Sequence, residues 1–118
     1  MLEAVMDEIA SRTPGFQGVS VMGTDGIPLT QRVVDEGPDL ELFAAECSAL
    51  LKTLSGLSSQ EECGTLRGFS SGGDRWTLLL ERVTTDYFLL LVVASEASLG
   101  HCRYRLRLAA LDLESELA

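Results

Sequence analysis

Leu2, Val5, Met6 and Ile9 fall at i, i+3, i+4 and i+7, while Glu3, Asp7 and Glu8 fall on the other side, so the chain opens with an amphipathic helix. A helix this short does not persist alone and has to dock on something. Thr13-Pro14-Gly15 ends it, because proline cannot continue a helix and disfavours helical geometry in the residue before it. From Gln17 to Gly23 the pattern changes to alternation, with Val19 and Val21 on one side and Gly18, Ser20 and Met22 on the other. Nothing in that run is charged, which predicts a strand covered on both faces. Thr24-Asp25-Gly26 supplies a turn, since Asp-Gly tolerates positive φ at little steric cost. Pro28 to Val34 then runs back with Leu29, Gln31 and Val33 alternating with Thr30, Arg32 and Val34, and Pro28, lacking an N–H, puts this strand at a sheet edge.

After the loop Asp35-Glu36-Gly37-Pro38, Asp39 is placed to cap a long helix running to about Ser59, with Glu41 in its first turn complementing the helix dipole. Its apolar positions are Leu40, Phe43, Ala44, Cys47, Leu50, Leu51, Leu54 and Leu57, flanked by Leu42, Ala45 and Ala49. That stripe is wider than one sheet face needs, and between Leu42 and Leu57 only Glu46 and Lys52 are charged, so the helix is expected to pack on two things. Three extended segments follow. Cys63 to Ser71, Arg75 to Val83 and Tyr87 to Ala94 are separated by the turns Gly72-Gly73-Asp74 and Thr84-Thr85-Asp86, which predicts an antiparallel meander. Trp76, Leu78 and Leu80 share one face of the second, and the third is apolar on both faces, as a central strand is. The first, with Gly64, Leu66, Gly68 and Ser70, is the least hydrophobic and would be a bare edge in a lone subunit. Ser98 is placed to cap a last helix whose inward stripe is Leu99, Cys102, Leu106, Ala109, Leu113 and Leu117.

The predicted order, α-β-β-α-β-β-β-α, defines an α+β chain read as one domain over residues 1–118. With Pro14-Gly15-Phe16-Gln17-Gly18 before the first strand, Asp25-Gly26-Ile27-Pro28 in the hairpin and Ala94-Ser95-Glu96-Ala97-Ser98-Leu99-Gly100 before the last helix, it resembles the Roadblock/LC7 family along nearly its whole length. Those are small dimeric proteins associated with dynein, with lysosomal GTPase scaffolds, and with Ras-like GTPases of bacterial polarity and gliding. The resemblance implies a five-stranded antiparallel sheet with the long middle helix on one face and the terminal helices on the other. It also implies a homodimer with a continuous sheet, joined through the third strands and middle helices. The implied dimer interface is Phe43, Cys47, Leu50, Leu51, Leu54, Leu66, Gly68 and Ser70. Longin and profilin-like domains have similar topologies.

Net charge is −9, so the global field repels phosphate: nucleic acid and anionic membrane are not the expected partners. No apolar run reaches the length of a membrane span, about 20 residues, and the acidic amphipathic N-terminus is unlike a signal peptide. Cys47, Cys63 and Cys102 include no C-x-x-C pair and suit a reducing cytoplasm; the resemblance implies recruitment to cell poles through partners. Chemistry finds no foothold in the sequence. His101 is the only histidine, and adjacent helical residues such as His101 and Cys102 do not face each other. Gly15-Phe16-Gln17-Gly18 lacks the Gly-Lys-Ser/Thr of a phosphate loop, and the carboxylate pairs Asp35-Glu36 and Glu61-Glu62 read as solvated loops. No catalytic, cofactor or metal site is expected. Positive charge concentrates at Arg103, Arg105 and Arg107, candidates for docking an acidic partner, and Arg32 and Arg75 are the positions at which an arginine finger could be tried.

The resemblance therefore implies a non-catalytic dimeric regulator or adaptor of a small Ras-like GTPase, of the bacterial polarity and gliding type because the chain is bare of extensions. The alternative is an adaptor that binds a sister Roadblock protein or a response-regulator-like polarity factor without touching the GTPase. A profilin-like or PAS-like ligand sensor would need a polar-lined cavity, which the apolar run Phe88 to Val93 does not offer.

Overall fold

The computed structural model describes residues 2–58 and 64–117, the side chains of 55–58 excepted. The elements, in order, are α1 (Leu2–Arg12), β1 (Phe16–Gly23), β2 (Pro28–Val33), α2 (Leu40–Ser58), β3 (Gly68–Gly72), β4 (Trp76–Arg82), β5 (Tyr87–Ala94) and α3 (Leu99–Leu117). The side chain of Leu57, the predicted helix end at Ser59, the Glu61-Glu62 pair and the strand start at Cys63 lie outside the described residues. Among the described residues the strands form one antiparallel sheet in the order β2-β1-β5-β4-β3.

The central position of β5 explains its composition. Leu89, Leu91 and Val93 point into a layer shared with Val5, Met6 and Ile9 of α1 and Cys102, Leu106, Ala109 and Leu113 of α3. Phe88 and Leu90 point the opposite way, onto Ala44, Cys47 and Leu51 of α2. The expected layering is therefore present, with α2 on one face and the terminal helices on the other.

Local chemistry sets the joints. Asp39 Oδ1 accepts from the Leu42 N–H at 3.2 Å and Ser98 Oγ from the His101 N–H at 3.4 Å, so both predicted N-caps hold their helices. Asp25 Oδ1 accepts from the Ile27 N–H at 3.0 Å and Gly26 sits at φ +85°, forming the hairpin tip. Ser48 Oγ donates to the Thr24 carbonyl at 2.7 Å, which ties that tip to α2. Gly15 takes φ +68°, and a side-chain carbon there would come within 2.8 Å of Ala97 Cβ, so glycine lets the α1–β1 turn pass the approach to α3.

One strand is shorter than the sequence pattern suggests. The pattern predicts an extended segment from Cys63 to Ser71, yet β3 begins at Gly68 and ends at Gly72. Gly64 adopts φ +77°, and Leu66 turns under α2 to join its apolar layer. The Leu66 carbonyl accepts from Arg82 Nη1 at 3.2 Å and the Arg67 carbonyl from the Arg82 N–H at 2.7 Å, so this stretch is satisfied as a loop lying on β4.

Candidate functional site: an interaction surface

The outward face of α2 is the largest departure from a water-facing helix. Leu40, Ala44, Cys47 and Leu51, at i, i+4, i+7 and i+11, are buried against the sheet. The opposite side carries Leu42 at 53% exposure and Leu50 at 41%, with Ala45 and Ala49 exposed between them. A helix turns only about half its circumference to one sheet, and Leu42 and Leu50 lie outside the sector that Leu40, Ala44, Cys47 and Leu51 bury.

That geometry corrects the expected interface. Cys47 and Leu51 are buried core residues of their own subunit, so these two are not available to a second chain in this conformation, and Leu66 is half-buried against the same layer. Leu50 does face outward. Phe43 is half-buried, its ring edge-on to Trp76 at 6.0 Å and 72°, and Leu54 is half-buried at the margin. Leu42, Ala45 and Ala49, which in the sequence only flank the apolar stripe, complete the outward patch.

Gly68 and Ser70 lie where they were placed, on β3, which is an edge strand. A side-chain carbon at Gly68 would collide with the Leu80 carbonyl, so only glycine lets β3 approach β4 this closely. Gly68, Ser70 and Gly72 pair with Glu81, Leu79 and Thr77 and share their face, which leaves an open groove of about 670 Å³ between β3, β4 and α3. Arg67, Arg103, Arg107, Tyr104 and Glu81 line it. Arg67, Glu81 and Tyr104 are groove residues that sequence reasoning missed, the place of Arg67 being set by a loop turn that no periodicity announces.

The three arginines singled out on the last helix do not act as one cluster. Arg103 and Arg107, one turn apart, lean toward the sheet: Arg103 Nη2 donates to Ser70 Oγ at 2.7 Å and Arg107 Nη1 to Glu81 Oε1 at 2.8 Å. Burial pushes the Glu81 carboxyl up, and the charge of Arg67 pulls it back. Arg105 projects to the other flank, into a groove between α1 and α3 with Glu8 and Asp112, and its ring-side neighbour is Tyr104 at 5.9 Å.

The remaining candidates take structural places. Arg32 is clasped by α1, with Nε donating to Asp7 at 3.0 Å and Nη2 to Glu3, and its hydrogen bond holds the Glu3 carboxyl below its usual range. Arg75 stacks over Trp76 at 4.4 Å. His101 is exposed, while Cys102 is fully buried with Sγ 3.5 Å from the Pro14 carbonyl. Burial raises the Cys102 thiol and raises that of Cys47 to about 11, the opposite of nucleophile activation. Among the described residues no group of three metal-ligating side chains comes together, and no helix is long and apolar enough to cross a membrane.

No protein-family model and no curated protein sequence matches this chain. Solved structures do. The gliding protein MglB from Thermus thermophilus superposes with a TM-score of 0.87 at 19% identity, over 99% of this chain and 90% of that one. A Roadblock/LC7 domain from Streptomyces avermitilis gives 0.84 at 18% identity, over 97% and 95%. MglC from Myxococcus xanthus gives 0.68 at 28% identity, over 98% and 99%. The chain has the Roadblock/LC7 fold.

Proposed function

We propose that the protein is a non-catalytic, homodimeric regulator or adaptor of a small Ras-like GTPase in bacterial polarity or gliding motility, working through protein–protein contacts. The observation that carries this is the full-length likeness in fold to a protein named for gliding, MglB, combined with an apolar α2 face that the single chain leaves in water. In this reading two subunits join by antiparallel pairing of their β3 edges and by contact of their outward α2 faces through Leu42, Ala45, Ala49 and Leu50. Phe43, Leu54, Gly68 and Ser70 flank that contact. The groove lined by Arg67, Arg103 and Arg107 then lies on the opposite face of the sheet from α2, free to receive an acidic element of a partner. Supporting the non-catalytic part are the two described cysteines, both buried with raised pKa, and the anchoring of Arg32.

The alternative, an adaptor that pairs with a sister Roadblock protein, is favoured by the plainness of the α2 patch. Leucines and alanines there would accept a related helix as readily as an identical one. Light scattering on a sizing column separates these readings. A dimer that co-elutes with a Ras-like GTPase loaded with non-hydrolysable GTP, and not with GDP, supports direct regulation. A dimer indifferent to both nucleotide states supports the adaptor, and a folded monomer at high concentration refutes the architecture.

A further inference from the structure

α3 carries a second exposed apolar stripe that the dimer described above does not use. Tyr104, Leu108 and Leu111, at i, i+4 and i+7, are 58%, 37% and 54% exposed. On either side of the stripe the charges are sorted by position along the helix. Residues 99–107 hold His101, Arg103, Arg105 and Arg107 and no acid, whereas residues 110–117 hold Asp112, Glu114 and Glu116 and no base. This order opposes the helix dipole, which favours acids in the first turns and bases in the last, so intrinsic helix stability does not account for it. Pairing within the chain does not either. Among the described residues Asp112, Glu114 and Glu116 take part in no ion pair, and their carboxylates accept no hydrogen bond.

We infer that α3 docks against α3 of a second copy, antiparallel, about a two-fold axis at the midpoint of Leu108 and Ala109. Reversing the helix about that point sets Arg105 opposite Asp112, Arg103 opposite Glu114 and His101 opposite Glu116, each pair occurring twice. The same reversal lays Tyr104 and Leu111 of one copy along the stripe of the other, with the two Leu108 side chains close to the axis. A two-fold contact must be self-complementary, and a helix basic in one half and acidic in the other has that property only when reversed. The occupant is accordingly a second copy of this chain. The apolar stripe lies apart from α2 and β3, with Arg103 reaching β3 through Ser70, so an existing dimer would be joined to another.

The test is sedimentation of the full chain over a range of concentration. Asp112→Arg with Glu114→Arg makes α3 basic over most of its length. Because those two acids have no ion pair inside the chain, this variant is expected to keep its melting temperature and to sediment at half the limiting mass of the wild type. Arg103→Glu with Arg105→Glu makes α3 predominantly acidic and is expected to halve the mass likewise. An equimolar mixture of the two variants restores the full mass. Should the acidic variant fail to fold, Leu108→Cys replaces it: a short bismaleimide then joins two chains in the wild-type background and at least tenfold less in the basic variant. Wild type and basic variant of equal mass overturn the proposal, as does a folded pair of variants whose mixture stays at half mass. Leu50→Ala leaves the α3 contact in place, so loss of the α2 dimer and loss of this one are read independently.

Discussion

Leu50 and Leu51 are adjacent in sequence and opposite in role, so truncating each to alanine tests the orientation of α2 directly. Leu51 is 8% exposed and packs with Ala44, Cys47 and Leu90. Leu51→Ala removes buried methyl groups and leaves a cavity, which costs the folded subunit about 2–5 kcal/mol. Leu50 keeps 41% of its surface in the lone chain. Fully burying a leucine is worth about 1.5–3 kcal/mol, so covering that remaining fraction is worth roughly 0.6–1.2 kcal/mol per subunit. The two-fold doubles it, and Leu50→Ala should raise the dimer dissociation constant roughly eight- to sixty-fold while leaving the subunit intact. Leu50→Glu should do more, because a carboxylate would have to leave water at the contact.

The assay is a dilution series by sedimentation equilibrium alongside urea unfolding followed by circular dichroism. Leu51→Ala is expected to move the unfolding midpoint strongly, and Leu50→Ala to move the monomer–dimer midpoint. Equal loss of subunit stability in both variants would refute the outward assignment of Leu50. An unchanged dissociation constant in Leu50→Ala, with the protein dimeric, would place the interface elsewhere.

Three other outcomes follow from the geometry. Ser48→Ala removes the hydroxyl that holds the Thr24 carbonyl, and urea unfolding should show a loss of about 1 kcal/mol. Arg32 lowers the Glu3 pKa from 4.5, so the clasp stabilises above the unfolded carboxylate range and fades as pH falls through and below it; in Arg32→Gln the melting temperature should depend less steeply on pH there. With burial holding the Cys47 thiol near 11 and raising that of Cys102, native protein treated with a maleimide at neutral pH should be labelled at neither residue, as peptide mass mapping would show, until denaturant is added.

Periodicity carries the fold because each element obeys one simple demand. β5 is apolar at every position between Phe88 and Val93 since both of its faces are covered, and the residue pattern alone makes that legible. Caps at Asp39 and Ser98 and the Asp25-Gly26 turn are legible for the same reason: each satisfies local backbone groups. The proposed interface is legible only as a surplus. The sequence shows that α2 has more apolar positions than one sheet face can take, but not which belong inside, because Leu50 and Leu51 differ by a rotation of about 100° that the stripe's width blurs. The rotation is set by tertiary contacts, by Gly18, where a side-chain carbon would come within 3.0 Å of Leu40 Cδ2, and by Ser48 reaching Thr24. Leu66 escapes the pattern for a related reason. Its run looks extended, yet after the left-handed turn at Gly64 it lies half-buried against the α2 layer.

The two edges of the sheet show why association should run through β3 rather than β2, although β2 has the more hydrophobic surroundings. Ile27, Leu29 and Val33 are 65%, 50% and 46% exposed. Pro28, however, gives β2 no N–H at its first position, the register shifts between Val21 and Met22, and Arg32 is drawn onto α1 by Glu3 and Asp7. A neighbouring strand would meet a missing donor, an irregular ladder and a charge cluster, which are the devices that keep edges apart. β3 has no proline and no shift in its ladder, and the charges near it, Arg67, Arg103 and Glu81, lie on its α3 face. It is regular in register, uncharged from Gly68 to Gly72, and built of glycine and serine around a single Phe69. Its bareness makes it a weak strand in a lone subunit and a ready one for a partner, because pairing supplies the backbone hydrogen bonds its side chains cannot replace. In the proposed dimer the exposed leucines of α2 would decide whether that pairing persists, which is why a change at Leu50, on a helix rather than on any strand, is expected to control whether the two sheets join.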